Sequence, residues 1–295
     1  MAAMIKDSVL DVWVRFRTGS TSNTQECLYV AHNAAPTAAD DGKLGEVWNR
    51  GDLPAKETNV VRFVFVSDTH SRHNEMGILP EGDIFVHGGD ILMSSRMWSS
   101  GGRAEKYAEF NRWLGSSAVR CPTKLIVAGN HDRELEDVGT EAARAMLSNA
   151  TYLENESFVW KGEAGLSVCV FGSPASAGHS QNRAFQGAAF AEAAVQAAAA
   201  AGRTVRPAND EGGAAEAPPA LVLLTHGPSD KGNRNLLGAA AREAGGRLRA
   251  HLWGHLHRGH GARRAKLCGV SVCGSIMDAH YCPLNLPIVV DVQVG

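Results

Sequence analysis

The run Val60-Val61-Arg62-Phe63-Val64-Phe65-Val66 stops abruptly at Ser67-Asp68-Thr69-His70. A nearly continuous series of β-branched and aromatic residues is what a strand buried on both faces of a sheet requires. The same event recurs downstream. Ile84-Phe85-Val86-His87 ends at Gly88-Gly89-Asp90, and Lys124-Leu125-Ile126-Val127-Ala128 ends at Gly129-Asn130-His131-Asp132. Leu221-Val222-Leu223-Leu224 ends at Thr225-His226-Gly227, and Arg249-Ala250-His251-Leu252-Trp253 ends at Gly254-His255-Leu256-His257. In layered α/β proteins ligands gather at the carboxyl ends of strands, so the five endings are expected to converge on one site.

The residues delivered there suit metal ions. Asp68 and His70, one residue apart, can point to the same side of the chain. Gly88 and Gly89 let the backbone bend sharply and bring the Asp90 carboxylate into a crowded centre, where its two oxygens can bridge two cations. Asn130 supplies a neutral oxygen, and His226, His255 and His257 supply neutral nitrogens. A set of oxygen and nitrogen donors without thiolate favours Mn, Fe, Zn, Co or Ni over Ca or Mg. Seven donors with one bridge make two four-donor sites. About four positive charges then face two aspartates and a hydroxide, which leaves a net positive site for a phosphate.

Around this core, strands are expected at 9–16, 25–31, 166–171, 270–273 and 288–294, and helices at 104–114 and 140–147. The stretch 187–219 is rich in Ala, Gly and Glu; its first half suits a helix and its second half a loop. With 29 basic and 31 acidic residues the net charge is -2, so no positive field exists for stable nucleic acid binding by counterion release. Lys6, Asp7, Asp11 and Arg15 interrupt the first apolar residues, so neither a signal peptide nor a membrane association is expected, and the location expected is cytoplasmic. The six cysteines form no C-x-x-C pair and read as reduced thiols; the spacing of Cys268, Cys273 and Cys282 is loose for a zinc site.

Other polar residues have plainer readings. His87 and His251 read as strand residues or as groups that orient a donor. His73, His179 and His260 are candidates for a substrate rim, His280 lacks comparable support, and Arg133 is either a phosphate contact or a solvated cation. Trp113 and Trp253 read as core before nucleobase platform.

In order, D-x-H, G-D, G-N-H-D, a histidine before G-P, and G-H-x-H resemble the calcineurin-like metallophosphoesterases over about residues 60 to 294. Ser67-Asp68-Thr69-His70-Ser71, Gly82-Asp83-Ile84-Phe85-Val86-His87-Gly88-Gly89-Asp90, Thr225-His226-Gly227-Pro228 and Asn285-Leu286-Pro287-Ile288-Val289-Val290-Asp291 look like the metallophosphoesterase-domain-containing proteins, a group with cyclic nucleotide phosphodiesterase activity. The resemblance implies an α/β four-layer sandwich of two mixed β-sheets flanked by helices. Residues 59–295 would form that domain, with the alanine-rich segment as an insertion, and 1–58 an extension packed on it.

One metal would be held by Asp68, His70, Asp90 and His257, the other by Asp90, Asn130, His226 and His255. His131 would then be free for general acid work. With two divalent ions, Mn, Fe or Zn, the implied reaction is hydrolysis of a small phosphodiester, a cyclic nucleotide, by in-line attack of a hydroxide shared between the ions. Some animal members carry Gly where this chain has His255; Ser229 departs from a frequent second proline. The alternatives are a phosphomonoesterase, a protein phosphatase, a nuclease, or a metal-binding scaffold with little catalysis.

Overall fold

The computed structural model describes residues 25–31, 43–93, 100–176, 180–204, 218–228 and 234–294. The strand expected at 9–16, His179, Ser229 and residues 205–217 of the alanine-rich stretch lie outside them. Strands of the first half are Glu26–Val30 (β1), Lys43–Leu44 (β2), Glu46–Asn49 (β3), Val60–Val66 (β4), Ile84–His87 (β5), Thr123–Ile126 (β6) and Thr151–Tyr152 (β7). Those of the second are Glu156–Lys161 (β8), Ser167–Ser173 (β9), Ala220–Thr225 (β10), Leu248–Trp253 (β11), Gly261–Ala265 (β12), Gly269–Cys273 (β13) and Ile288–Gln293 (β14). The α-helices are Ser100–Leu114 (α1), Arg133–Val138 (α2), Thr140–Met146 (α3), Ala188–Thr204 (α4) and Arg234–Ala244 (α5).

Two seven-stranded sheets result, ordered β3-β1-β14-β4-β5-β6-β7 and β2-β12-β13-β11-β10-β9-β8. Both are mixed. β4, β5, β6 and β7 run parallel, as do β9, β10, β11 and β13, while β14 is antiparallel to β4 and β12 to β13.

Alternation along each apolar run assigns the layers. Phe63, Phe65, Ile84, Val86 and Leu125 face Val168, Val170, Val222, Leu224 and Val272 between the sheets. The intervening Val64, Val66, Phe85 and Ile126 lie with Tyr107, Phe110 and Trp113 of α1. On the far side, Phe171, Leu221 and Leu223 pack with Ala194 and Ala198 of α4 and Leu236 and Leu237 of α5. The result is helix, sheet, sheet, helix: the four-layer α/β sandwich. Truncating either fully buried Phe63 or Phe65 to alanine costs about 3–5 kcal/mol.

Arg62 is the one charge within β4, and its partner explains it. Its cross-strand neighbour is Asp291 of β14, whose carboxylate accepts from Nε and Nη2 at 2.8 Å each. The sheets are also joined where β4 ends: Ser67 N–H donates to Gly274 O (2.8 Å), and Ile276 N–H donates to Ser67 O (3.0 Å).

Candidate metal centre

The backbone is bent where the strands stop. Asp68 (φ 54°), His70 (φ 44°), Ser71 (φ 66°), Asp90 (φ 54°) and His255 (φ 67°) all adopt left-handed conformations. Non-glycine residues in this region cost of order 1–3 kcal/mol each and persist only where their surroundings enforce them. Here the first two loops enforce one another: Asp68 N–H donates to Gly89 O (2.9 Å), His70 N–H to Asp90 O (3.1 Å) and Ser71 N–H to Ile91 O (2.7 Å). Two glycines leave room for the side chains. A Cβ at Gly129 would land on Asp90 Oδ1 and the His226 ring, and one at Gly254 on Ser67 Oγ and Asp68 Oδ2.

All seven donors meet at this margin. Asp68, His70 and His257 form one cluster, and Asp90, His226 and His255 another, each with donor atoms within 4.8 Å of one another. In the first, His70 Nε2 lies 3.2 Å from His257 Nε2, which is 3.6 Å from Asp68 Oδ1. In the second, Asn130 Oδ1 lies 2.8 Å from His226 Nε2 and 2.8 Å from His255 Nδ1. Asp90 reaches both: Oδ2 is 3.8 Å from His70 Nε2, and Oδ1 is 3.3 Å from His226 Nε2.

Backbone carbonyls set the ring tautomers. His70 Nδ1 donates to Leu92 O (3.3 Å), His257 Nδ1 to Asp278 O (3.0 Å) and His226 Nδ1 to Gly88 O (2.8 Å). Each neutral ring therefore aims an Nε2 lone pair inward, the arrangement typical of metal-ligating histidine. Two lone pairs facing across 3.2 Å need a proton or a cation between them. The Asn130 amide donates through Nδ2 to Asn182 O (3.2 Å), which turns its oxygen toward His226 and His255.

Charge points the same way. Burial pushes the Asp90 carboxyl up, but the imidazoles of His226, His131 and His70 outweigh it and hold it well below the usual carboxylate range. Burial also raises Asp68, and His257 and His226 bring it down. His226 is raised to about 9: burial lowers it, and the Asp90 and Asp68 carboxylates more than reverse that. Two buried carboxylates thus draw positive charge into the site, and a divalent cation entering there displaces the proton on His226. The donor set fits a pair of divalent ions.

His131 stands beside this set. Its Nε2 is 3.8 Å from Asp90 Oδ2 and 3.1 Å from Asn182 Nδ2, and its ring sits edge-on to His70 at 4.7 Å.

Several contributors were not legible as such in the sequence. Asp132 is fully buried and accepts from the N–H groups of Ile91 (3.1 Å), Leu92 (3.3 Å) and Gly129 (2.8 Å) and from Tyr107 OH (3.1 Å). Burial and the neighbouring Asp90 push its carboxyl up to about 7. Arg103, 1% exposed, donates to Met93 O (2.7 Å) and His131 O (3.3 Å) and pairs with Glu134. Tyr281 sets its ring 4.6 Å from that of His257. By contrast, His87 and His251, which the sequence already offers as strand residues or as groups orienting a donor, bond to Thr69 and Thr225, next to donors.

Several rim and core expectations are corrected or refined. His73 is not at a rim; it is buried against Phe110 and Trp113 because the turn His73–Met76 packs under α1. Trp113 is core, but Trp253 lines the cavity over the centre, its Nε1–H donating to Ser271 Oγ (2.8 Å). Arg133 is exposed and paired with Glu136 and Asp137. His260 is half-buried, its ring bonded to Leu286 O, and no cysteine joins the metal-capable groups among the described residues.

The family model for calcineurin-like phosphoesterases matches residues 61–259, and the chain belongs to that family. It is similar to "Metallophosphoesterase domain-containing protein 1" of Homo sapiens, at 27% identity over 274 residues, covering 81% of this chain and 73% of the human protein. It is also 33% identical over 215 residues to "Probable rhamnogalacturonate lyase C" of Emericella nidulans; the match covers 69% of this chain and spans only 18% of that relative's length. The crystal structure of TT1561 of Thermus thermophilus aligns with a TM-score of 0.47 and 15% identity, over 72% of this chain and 88% of that one. Among the described residues no helix is long and apolar enough to cross a membrane.

Proposed function

We propose that the chain is a phosphodiesterase that works with two divalent transition metal ions, Mn, Fe or Zn, and that cyclic nucleotides are among its substrates. One ion would be held by Asp68, His70, Asp90 and His257, the other by Asp90, Asn130, His226 and His255. The observation that carries this reading is Asp90, which directs one oxygen toward His70 and the other toward His226. When bound, the ions would supply the charge that ionises water near neutral pH and offsets charge gathering on the phosphoryl oxygens.

The chain's own residues do the rest. Leu92, Asp278 and Gly88 carbonyls keep three imidazoles in the tautomer that binds a cation. Asn182 steadies both Asn130 and His131. His131, outside either set of four and lining the cavity, gives a proton to the departing alkoxide.

The test is turnover of bis-p-nitrophenyl phosphate with added Mn, beside metal analysis. Asp90→Asn should lose both bound metal and turnover. His131→Ala should keep its metal and lose about 10²–10⁴-fold in rate. Equal rates in the wild type and both variants would sink the reading. A panel of cyclic nucleotides, phosphopeptides and DNA then separates the phosphodiesterase from the other esterases.

A further inference from the structure

The centre opens on a cavity of about 720 Å³, and beyond the centre's own residues its lining includes Trp253, Arg258, Arg263 and Ser271. Strand register explains why Trp253, Arg263 and Ser271 gather, and Arg258 lies in the turn His257–Gly259 that follows β11. His251 of β11 pairs with Ser271 of β13, Ser271 with Arg263 of β12, and Arg263 with Lys43 of β2. Residues directly paired across a sheet share a face, and Trp253, two positions after His251, shares it too. Their neighbours Ala250, Leu252, Val270 and Val272 fill the core between the sheets, so this face is the outer one.

The face is strongly cationic. Lys43 and Arg263 are directly opposite one another and both exposed, and like charges so placed are destabilising on their own. Lys43, Arg258 and Arg263 have no carboxylate partner among the described residues, whereas most arginines elsewhere in the fold do. Among the described residues Asp90 is the only acid in the cavity lining, and it is committed to the imidazoles. Guanidinium groups of this kind suit a phosphate or carboxylate, which they grip through two parallel N–H bonds. Trp253 is held by Ser271 and by Gly259, whose Cβ position abuts the indole edge, so a flat apolar surface stands beside the cations.

We infer that Arg258 and Arg263, backed by Lys43, seat a second anionic group. Among its substrates, phosphoesters that carry a further phosphate or carboxylate away from the scissile bond, with a ring set against Trp253, would then be favoured over those, simple cyclic nucleotides included, that carry only the scissile phosphate. This rests on the phosphoesterase reading of the centre, and it narrows the substrate class.

Binding of adenosine 3′,5′-bisphosphate and of adenosine 5′-monophosphate, measured by calorimetry on the Mn-loaded full chain, tests it. The bisphosphate should bind at least about 10-fold more tightly, an advantage that shrinks as salt rises. In the double variant Arg258→Gln, Arg263→Gln the two nucleotides should come within about 2-fold of one another. Turnover of bis-p-nitrophenyl phosphate, which has no second anion, should fall by less than the bisphosphate advantage does. Equal affinities in the wild type, or an advantage that survives in the double variant, would overturn the inference. Preference for the bisphosphate without any phosphodiester turnover would overturn the phosphoesterase reading instead and leave an anion-binding wall.

Discussion

Thr69 and Thr225 each lie beside residues of the centre, and each is fixed by a histidine of an adjacent strand, His87 at the end of β5 and His251 within β11. Gly89 N–H donates to His87 Nδ1 (3.2 Å), so the proton of this neutral ring is on Nε2 and is given to Thr69 Oγ1 (3.1 Å). Thr225 passes its own proton to Gly227 O (2.7 Å) and accepts from His251 Nε2 (2.7 Å). These bonds set the course of the loops that present Asp68, His70 and His226. Partners outside the donor set typically change metal affinity or activity about 10–100-fold when removed. Thr225→Val should therefore lower turnover by about that factor, with Thr225→Ser close to wild type; metal content and steady-state kinetics measured together check it. In the sequence His87 and His251 could be read only as strand residues or as groups orienting a donor. Their partners lie 18 and 26 positions away, and only strand pairing brings them together.

At the scale of elements, strands were legible where apolar runs were long and halted by polar residues, because burial on two faces demands such runs. β8 and β12 were not. β8 alternates half-buried and exposed positions at a sheet edge, and β12 is the short sequence Gly-Ala-Arg-Arg-Ala with one buried side chain. The first half of the alanine-rich stretch was legible as helix; that its buried Ala194, Ala198 and Ala201 make it half of an outer layer depends on α5. Where elements meet the site, glycine sets the clearance. Gly254 separates the end of β11 from Ser67 and Asp68, and both of those side chains are fully buried. Gly254→Ala should cost about 1–3 kcal/mol in urea unfolding. It should also weaken Mn uptake more than the stability loss alone requires, as equilibrium dialysis would show.

Over the whole molecule, two linked equilibria follow. Asp68 and Asp90 are buried together, and a cation that binds only the folded chain stabilises it by mass action, about 4 kcal/mol at a thousandfold excess over Kd. Chelation should accordingly lower Tm, and Mn restore it, in differential scanning calorimetry. Acid acts through histidines that burial keeps neutral: His73 is lowered from 6.5 to about 4 and His251 from 6.5 to about 3. The unfolded chain takes up these protons first. Their contribution to stability is therefore complete above pH 6.5 and is lost as pH falls toward 4 and 3, by up to about 1.4 kcal/mol per unit for each. Both ring nitrogens of His73 lack a partner among the described residues. His73→Leu should thus raise stability near pH 7 by about 1–2 kcal/mol and flatten the acid limb.

The placement of β14 bears on how the molecule is made. It follows every other described strand in the chain yet lies between β1 and β4, parallel to one and antiparallel to the other. A nascent chain stalled on the ribosome before residue 288 would leave both neighbours with open edges, the kind of surface that recruits foreign strands. Newly made protein is then most exposed to aggregation just before synthesis of this segment, and chaperone dependence should be sharpest in that interval.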